Sequence, residues 1–288
     1  MEFFHSLSQA PTEEVVELAR LAEELGFAGV TLSDHLARPA AVASRYPYSP
    51  DGAMPAGRDV PYPDPWVLVG ALAQVTTRLR FLSSVYVLPL RNPFHAAKAI
   101  ATACVLSSAR VMLGVGVGWM REEFALAGER FEDRGARTDE MLELLRALWS
   151  GRDVEPRGRF YAAPPLRMLP APPRMPPILV GGHGDAALRR AARHDGWVGV
   201  HYEAREVPAL LGRLRAARER AGDPERPFEI VLALAGALDA AAVAALEAQG
   251  VTALVHPPAP RRDRPPSLGE RRRHLEDFAR RHLARAGA

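Results

Sequence analysis

Residues 111–126 read VMLGVGVGWMREEFAL: an apolar strand, Val111–Val117, passes through Gly114, Gly116 and Gly118 into a helix at Arg121–Leu126. A strand that opens directly into a helix is half of a parallel βα repeat, because a parallel neighbour is reached only through a crossover. The same alternation extends in both directions. Short apolar or β-branched runs occur at Phe3–Ser6, Gly29–Leu32, Leu79–Val87, Ile178–Gly181, Trp197–His201, Glu229–Leu234 and Thr252–His256. Strands alternating in this way with helical segments predict an α/β fold, a single (β/α)8 TIM barrel with long βα loops at its C-terminal face. An open doubly wound sheet is the alternative. With no internal repeat and no linker, residues 1–288 read as one domain.

Helix boundaries support this rhythm. Glu13 and Glu14 stand in the first turn of a helix whose apolar stripe is Val15, Leu18, Leu21, Ala22 and Leu25, and Gly26 stops it. Asp64–Pro65 and Asn92–Pro93 each read as an N-cap followed by proline at the first helical position. Asp239 caps a helix that Gly250 ends, and Ser267 with Glu270 forms a capping box for the last one. Two stretches break the pattern: residues 36–63, LARPAAVASRYPYSPDGAMPAGRDVPYP, and residues 152–177. Loops this long inside a compact domain are usually functional lids or disordered, and both could fold over the catalytic face, the first more so than the second.

Composition narrows the class. A hydrophobic fraction of 48% and a charged fraction of 25% over 288 residues suit a soluble protein with a full core. The net charge of only +3, with acidic residues spread among the arginines, argues against a nucleic-acid partner. Cys104 is alone, so no intramolecular disulfide forms, and its apolar surroundings predict a buried structural thiol. Met1–Gln9 lacks a signal-peptide pattern and no apolar run reaches membrane-spanning length, so a cytoplasmic protein without a membrane partner is expected. There is no nucleophile elbow, Walker loop or zinc-protease motif, and the histidines show no metal-ligand spacing; no metal is expected.

Three strand ends carry the candidate chemistry. In Leu113–Trp119 the glycines let backbone approach a ligand closely, although the dinucleotide fingerprint fails at Trp119 and Arg121; tight strand packing is the rival reading. In ILVGGHG, residues 178–184, the amides of Gly181, Gly182 and His183 could face a phosphate, with Arg189, Arg190 and Arg193 nearby. A plain glycine turn is the alternative there. Ser33-Asp34-His35 puts a carboxylate beside an imidazole, suited to general acid–base work, with a helix N-cap role for Asp34 as the rival.

Taken in order, SDH at 33–35, SRYPYSPDG at 44–52, RFLSSVYVLPLRNP at 80–93, AKAIAT at 97–102, RVMLGVGVGWMREEF at 110–124, FEDRGARTDEMLELLRALWSG at 131–151 and PPILVGGHGDAALRRAARHDGW at 176–197 resemble the luciferase-like monooxygenase superfamily, most closely its coenzyme F420-dependent oxidoreductase branch. The final ninety or so residues share only the β-α rhythm. The resemblance implies hydride transfer between F420 and a small organic substrate. FMN is the alternative cofactor, in a monooxygenase, and a non-catalytic flavin-binding barrel is a further alternative. It implies a non-proline cis peptide at Ser84–Val85 behind the cofactor ring, an active-site histidine at His35 with Asp34 beside it, a mouth lined by Gly116, Gly118 and Trp119, and a phosphate contact at Gly181, Gly182 and His183. Tyr46, Tyr48 and Tyr62 are expected in the substrate pocket, and relatives that are commonly dimers allow a homodimer.

Five departures accompany the resemblance, one of them His183 in place of the family's more frequent asparagine. Ala103-Cys104 stands where the family has Leu-Asp, and Ser108-Ala109 where it has Gly-Gly. Sugar-phosphate dehydrogenase relatives carry glutamate at Trp119 and tryptophan at Pro39, which argues against glucose 6-phosphate as the substrate.

Overall fold

Nine strand segments pair in parallel in the computed structural model, which describes residues 1–54, 57–236, 239–261 and 264–283. They are β1 (Glu2–Ser6), β2 (Gly29–Leu32), β3 (Arg80–Ser83), β4 (Tyr86–Val87), β5 (Val111–Gly116), β6 (Ile178–Gly181), β7 (Gly196–Tyr202), β8 (Glu229–Leu234) and β9 (Ala253–His256). Pairing of β1 with β9 and of β3 with β5 closes the sheet, so the barrel is a TIM barrel and the open-sheet alternative falls away. The third stave expected at 79–87 is two segments, β3 and β4, separated by a cis peptide at Ser84–Val85. Both segments pair with β5, which keeps the barrel at eight staves.

The helices are α1 (Val15–Glu24), α2 (Pro65–Val75), α3 (Pro93–Leu106), α4 (Arg121–Ala127), α5 (Arg134–Trp149), α6 (Asp185–Ala191), α7 (Val207–Ala221), α8 (Ala240–Ala248) and α9 (Leu268–His282). Their expected caps form. Asp64 accepts from the amides of Trp66 and Val67, Asn92 from those of Phe94 and His95, and Asp239 from that of Ala242. Ser267 and Glu270 make the reciprocal capping box. Glu13 and Glu14 lie in a short 3-10 turn that precedes α1 rather than in its first turn.

Alternation along the strands divides the core in two. Phe4, Leu82, Met112, Leu179, Val198, Val231 and Ala253 fill the barrel interior. β2 contributes Gly29 there, and a Cβ on it would come within 2.3 Å of the Phe4 ring. Phe4 therefore occupies the volume of two staves' side chains. The outward-facing residues pack under the helices, where Cys104 is a free, buried thiol that burial pushes up to about 12. Ser108 and Ala109, the departures from Gly-Gly, adopt φ 53° and 64°, a left-handed turn that glycine accepts without its Cβ penalty.

A cluster of rings joins the barrel to α9. His5 and His256 share an Nδ1···Nδ1 contact of 3.0 Å, and His256 stacks on His274 at 4.4 Å and on Phe278 at 4.1 Å. Burial, with His274 adding repulsion, lowers His5 to about 3 and, with His5 and His274, lowers His256 to about 2. The unfolded chain thus binds protons below pH about 6.5 that the folded chain refuses, so stability falls as pH drops from 6.5 toward 3. Each imidazole contributes a slope of up to about 1.4 kcal/mol per pH unit. Urea unfolding at pH 7.5 and 4.5 should show this loss, and a His5→Leu/His256→Leu double variant should flatten it. An equally steep acid dependence in the double variant would place the effect elsewhere.

Candidate active site

A cavity of about 830 Å³ opens at the C-terminal ends of the strands. It is within the roughly 300–1,000 Å³ typical of ligand pockets. Its lining includes Asp34, His35, Tyr46, Tyr48, Tyr62, Ser84, Val85, Gly116, Gly118, Trp119, Gly181, Gly182 and His183, but not Gly114, Arg189 or Arg193. The loop at 36–63 forms one wall, with Pro55 and Ala56 outside the described residues. The stretch at 152–177 does not line the cavity. It leaves α5 and enters β6 at its N-terminal end, on the opposite side of the barrel, where Glu140 of α5 accepts from the amides of Phe160 and Tyr161. That expectation is corrected by direction alone: a connection from helix to strand emerges at the bottom of a (β/α)8 barrel.

β2 ends at Leu32, so Asp34 and His35 lie beyond the pleat and both reach the cavity. Their side chains are held by different partners. His35 Nδ1 lies 2.9 Å from Glu123 Oε2, and the Leu36 amide donates to Glu123 Oε1 at 2.6 Å. Glu123 belongs to α4 and is 2% exposed. A carboxylate only accepts here, so Nδ1 carries a proton, and in the neutral form of the ring the lone pair would lie on Nε2. Nε2 makes no hydrogen bond among the described residues. The Tyr62 ring stands edge-on to His35 at 4.8 Å.

Asp34 forms a two-toothed pair with Arg91, at 2.6 Å on each oxygen, and accepts the Val87 amide at 2.8 Å. Burial raises its carboxyl, and the guanidinium and the amide oppose that rise. No helix starts at Asp34, so the N-cap reading is set aside. Its visible work is to tie β2 to the start of the segment after β4.

The glycines make room for protein first. A Cβ on Gly114 would come within 1.9 Å of the Ser83 carbonyl oxygen, and Ser83 Oγ bonds the amide and carbonyl of Gly114 at 3.0 and 2.9 Å. Cβ atoms on Gly116 and Gly181 would meet Val85 at 2.5 and 2.7 Å. Val85 thus slots between β5 and β6, and with Val198, Val200 and Val255 gives the cavity an apolar lining. Gly118 has φ 81° and is closed in by Phe124 and Val87.

At the β6 turn, Gly182 has φ 108° and its carbonyl accepts from Trp197 Nε1 at 2.7 Å. His183 Nδ1 is buried without a hydrogen-bond partner among the described residues. Of the arginines expected to serve this turn, Arg190 lines the cavity with its guanidinium paired to Asp139 at 2.7 Å, and Arg193 pairs with the same carboxylate at 2.8 Å. Arg134 also lines the cavity, stacked over Phe131 at 3.7 Å and donating to the Gly118 carbonyl, with no carboxylate partner among the described residues.

Three contributors escaped the sequence reading. Glu123 looked like any acidic residue in a helix's first turn, Arg91 like part of an N-terminal cap, and His201 like an ordinary strand end. Their roles depend on partners 88, 57 and about 150 residues away, so local pattern carries no signal for them.

The sequence matches the luciferase-like monooxygenase family over residues 2–288. The chain belongs to that family. Among its luciferase-like relatives, an uncharacterised protein of Mycobacterium tuberculosis is 40% identical over 255 residues, covering 88% of each chain. An F420-dependent glucose-6-phosphate dehydrogenase of Amycolatopsis mediterranei is 30% identical over 240 residues, covering 79% of this chain and 67% of its own. The crystal structure of the monooxygenase RslO1 from Streptomyces bottropensis superposes with a TM-score of 0.78 at 22% identity, covering 99% of both chains, a likeness of fold. No helix among the described residues is long and apolar enough to cross a membrane.

Proposed function

We propose that this luciferase-like chain is an oxidoreductase that binds the deazaflavin coenzyme F420 and moves a hydride between it and a small organic substrate. The observation that carries the reading is His35, backed by Glu123 at 2.9 Å, with its second ring nitrogen free in a cavity floored by Val85. The 30% identical F420-dependent relative supports the choice of cofactor.

The residues present fit such a group. A flat ring suits the valine lining around Val85, and the unpartnered His183 Nδ1 with the Gly181–Gly182 turn and the cation of Arg134 suits an anionic tail. When bound, F420 supplies a carbon that gives or takes a hydride. The chain's own part is protonic and positional. Neutral His35 takes the proton from a substrate hydroxyl at Nε2 as the carbinol carbon loses its hydride, so one C–H and one O–H bond break and a C=O bond forms. In reverse, the imidazolium returns that proton to the carbonyl oxygen. Glu123 holds the tautomer that makes this direction available.

Fluorescence titration tests the cofactor. Saturable quenching of F420 emission on binding, with no saturable response from FMN, is expected. The reverse result would make the chain an FMN-dependent monooxygenase, and saturation by neither would sink both readings.

A further inference from the structure

The loop side of the cavity is a wall of rings. Tyr46 stands edge-on to Trp119 at 5.3 Å and to His201 at 6.2 Å, and lies 5.4 Å from Tyr48. Tyr48 in turn stands edge-on to His183 at 5.1 Å. His201 joins this wall through unusual backbone: β7 slips register against β8 between Val200 and Tyr202, and His201 adopts φ 63°. Such bulges turn a side chain out of the strand's normal alternation and recur beside functional sites.

Burial also favours the uncharged forms of Tyr46, Tyr48 and His201 in this wall, pushing the two phenols up and the imidazole down. Arg45 reaches the lining from the loop, but it is exposed and donates to the Asp51 carbonyl at 3.1 Å.

We propose that this wall selects a flat, uncharged, aromatic or conjugated substrate whose hydroxyl or carbonyl oxygen meets His35 Nε2. The inference rests on the oxidoreductase reading for the chemistry at His35 and on the rings alone for selectivity. Rigid side-chain rings offer large contact area, and their quadrupoles favour the edge or offset face of another ring over a saturated skeleton. A sugar phosphate would set hydroxyls and negative charge against rings that cannot neutralise them.

Isothermal titration of 2-naphthol, its saturated counterpart 2-decalol and glucose 6-phosphate, with and without saturating F420, tests this. The naphthol, a phenol without a carbinol hydrogen and so a pure binding probe, should bind about tenfold tighter than either of the others. Tyr46→Leu should remove about tenfold of that affinity, and Tyr46→Phe, which keeps the ring, should stay within about twofold. Equal or tighter binding of 2-decalol or glucose 6-phosphate, or unchanged naphthol affinity in Tyr46→Leu, overturns the proposal, as does absence of naphthol binding. A chain that takes no F420 yet keeps the ring selectivity overturns the cofactor reading alone. One that takes F420 without that selectivity overturns this inference alone.

Discussion

His35→Ala is expected to lower kcat by about 10²–10⁴-fold, the range general acid–base catalysis supplies, while F420 affinity stays within a few-fold. The separation follows from geometry. His35 presents Nε2 to the cavity, whereas the ring of the cofactor would rest on Val85 and its neighbours. Glu123→Gln gives the finer test. Glutamine can accept from Nδ1–H through its oxygen, but it can also donate through its nitrogen and so admit the tautomer with the proton on Nε2. Its kcat should fall between wild type and His35→Ala, and the pH–rate profile should shift, which a purely structural helix residue would not cause. Steady-state turnover of any alcohol or ketone the F420-loaded enzyme accepts reads both variants. Unchanged turnover in His35→Ala would remove this residue from the mechanism.

Asp34→Ala carries the largest expected stability loss, about 3–5 kcal/mol, because it strands a guanidinium whose side chain is only 17% exposed. Asp34 is 5% exposed and takes both donors of Arg91 together with the Val87 amide. Deleting the carboxylate leaves a charge and an amide uncompensated at the point where the chain leaves β4. Arg91 also lies over the Tyr86 ring at 4.5 Å, so its side chain cannot swing to solvent without giving up that contact. The measurement is urea unfolding of Asp34→Ala against wild type. A loss below about 1 kcal/mol, the size of a surface ion pair, would mean that Arg91 finds water or another partner once Asp34 is gone.

The two variants separate neighbours that look alike in the sequence. Ser33-Asp34-His35 reads as a carboxylate orienting an imidazole, and in the folded chain each residue serves a different partner. The carboxylate that orients His35 arrives from α4 and the cation that neutralises Asp34 from the segment after β4. Position along a chain says little about which side chains meet once a strand has ended, because the alternation that sets direction ends with it.

Other features were legible because their causes are local. Proline at the first helical position, the side-chain caps at Asp64, Asn92 and Asp239 and the box at Ser267 depend on residues within three or four positions. Alternation of apolar strands with helices determined the α/β class, since parallel strands need crossovers. The family resemblance placed the cis peptide at Ser84–Val85, where the structure has it.

What only the tertiary structure decided are the matters of distance and direction. Barrel closure required β3 to pair with β5 and β1 with β9, contacts that no local pattern specifies. The glycine run beginning at Gly114 resembled a ligand cradle, and it proved first to be packing space for Ser83 and Val85, because a missing Cβ signals close approach without naming what approaches. The sequence by itself determined the α/β class and put its candidate site residues at strand ends. Which of those residues face each other, and that His35 answers to Glu123, was decided when the staves closed and brought separate loops to one mouth.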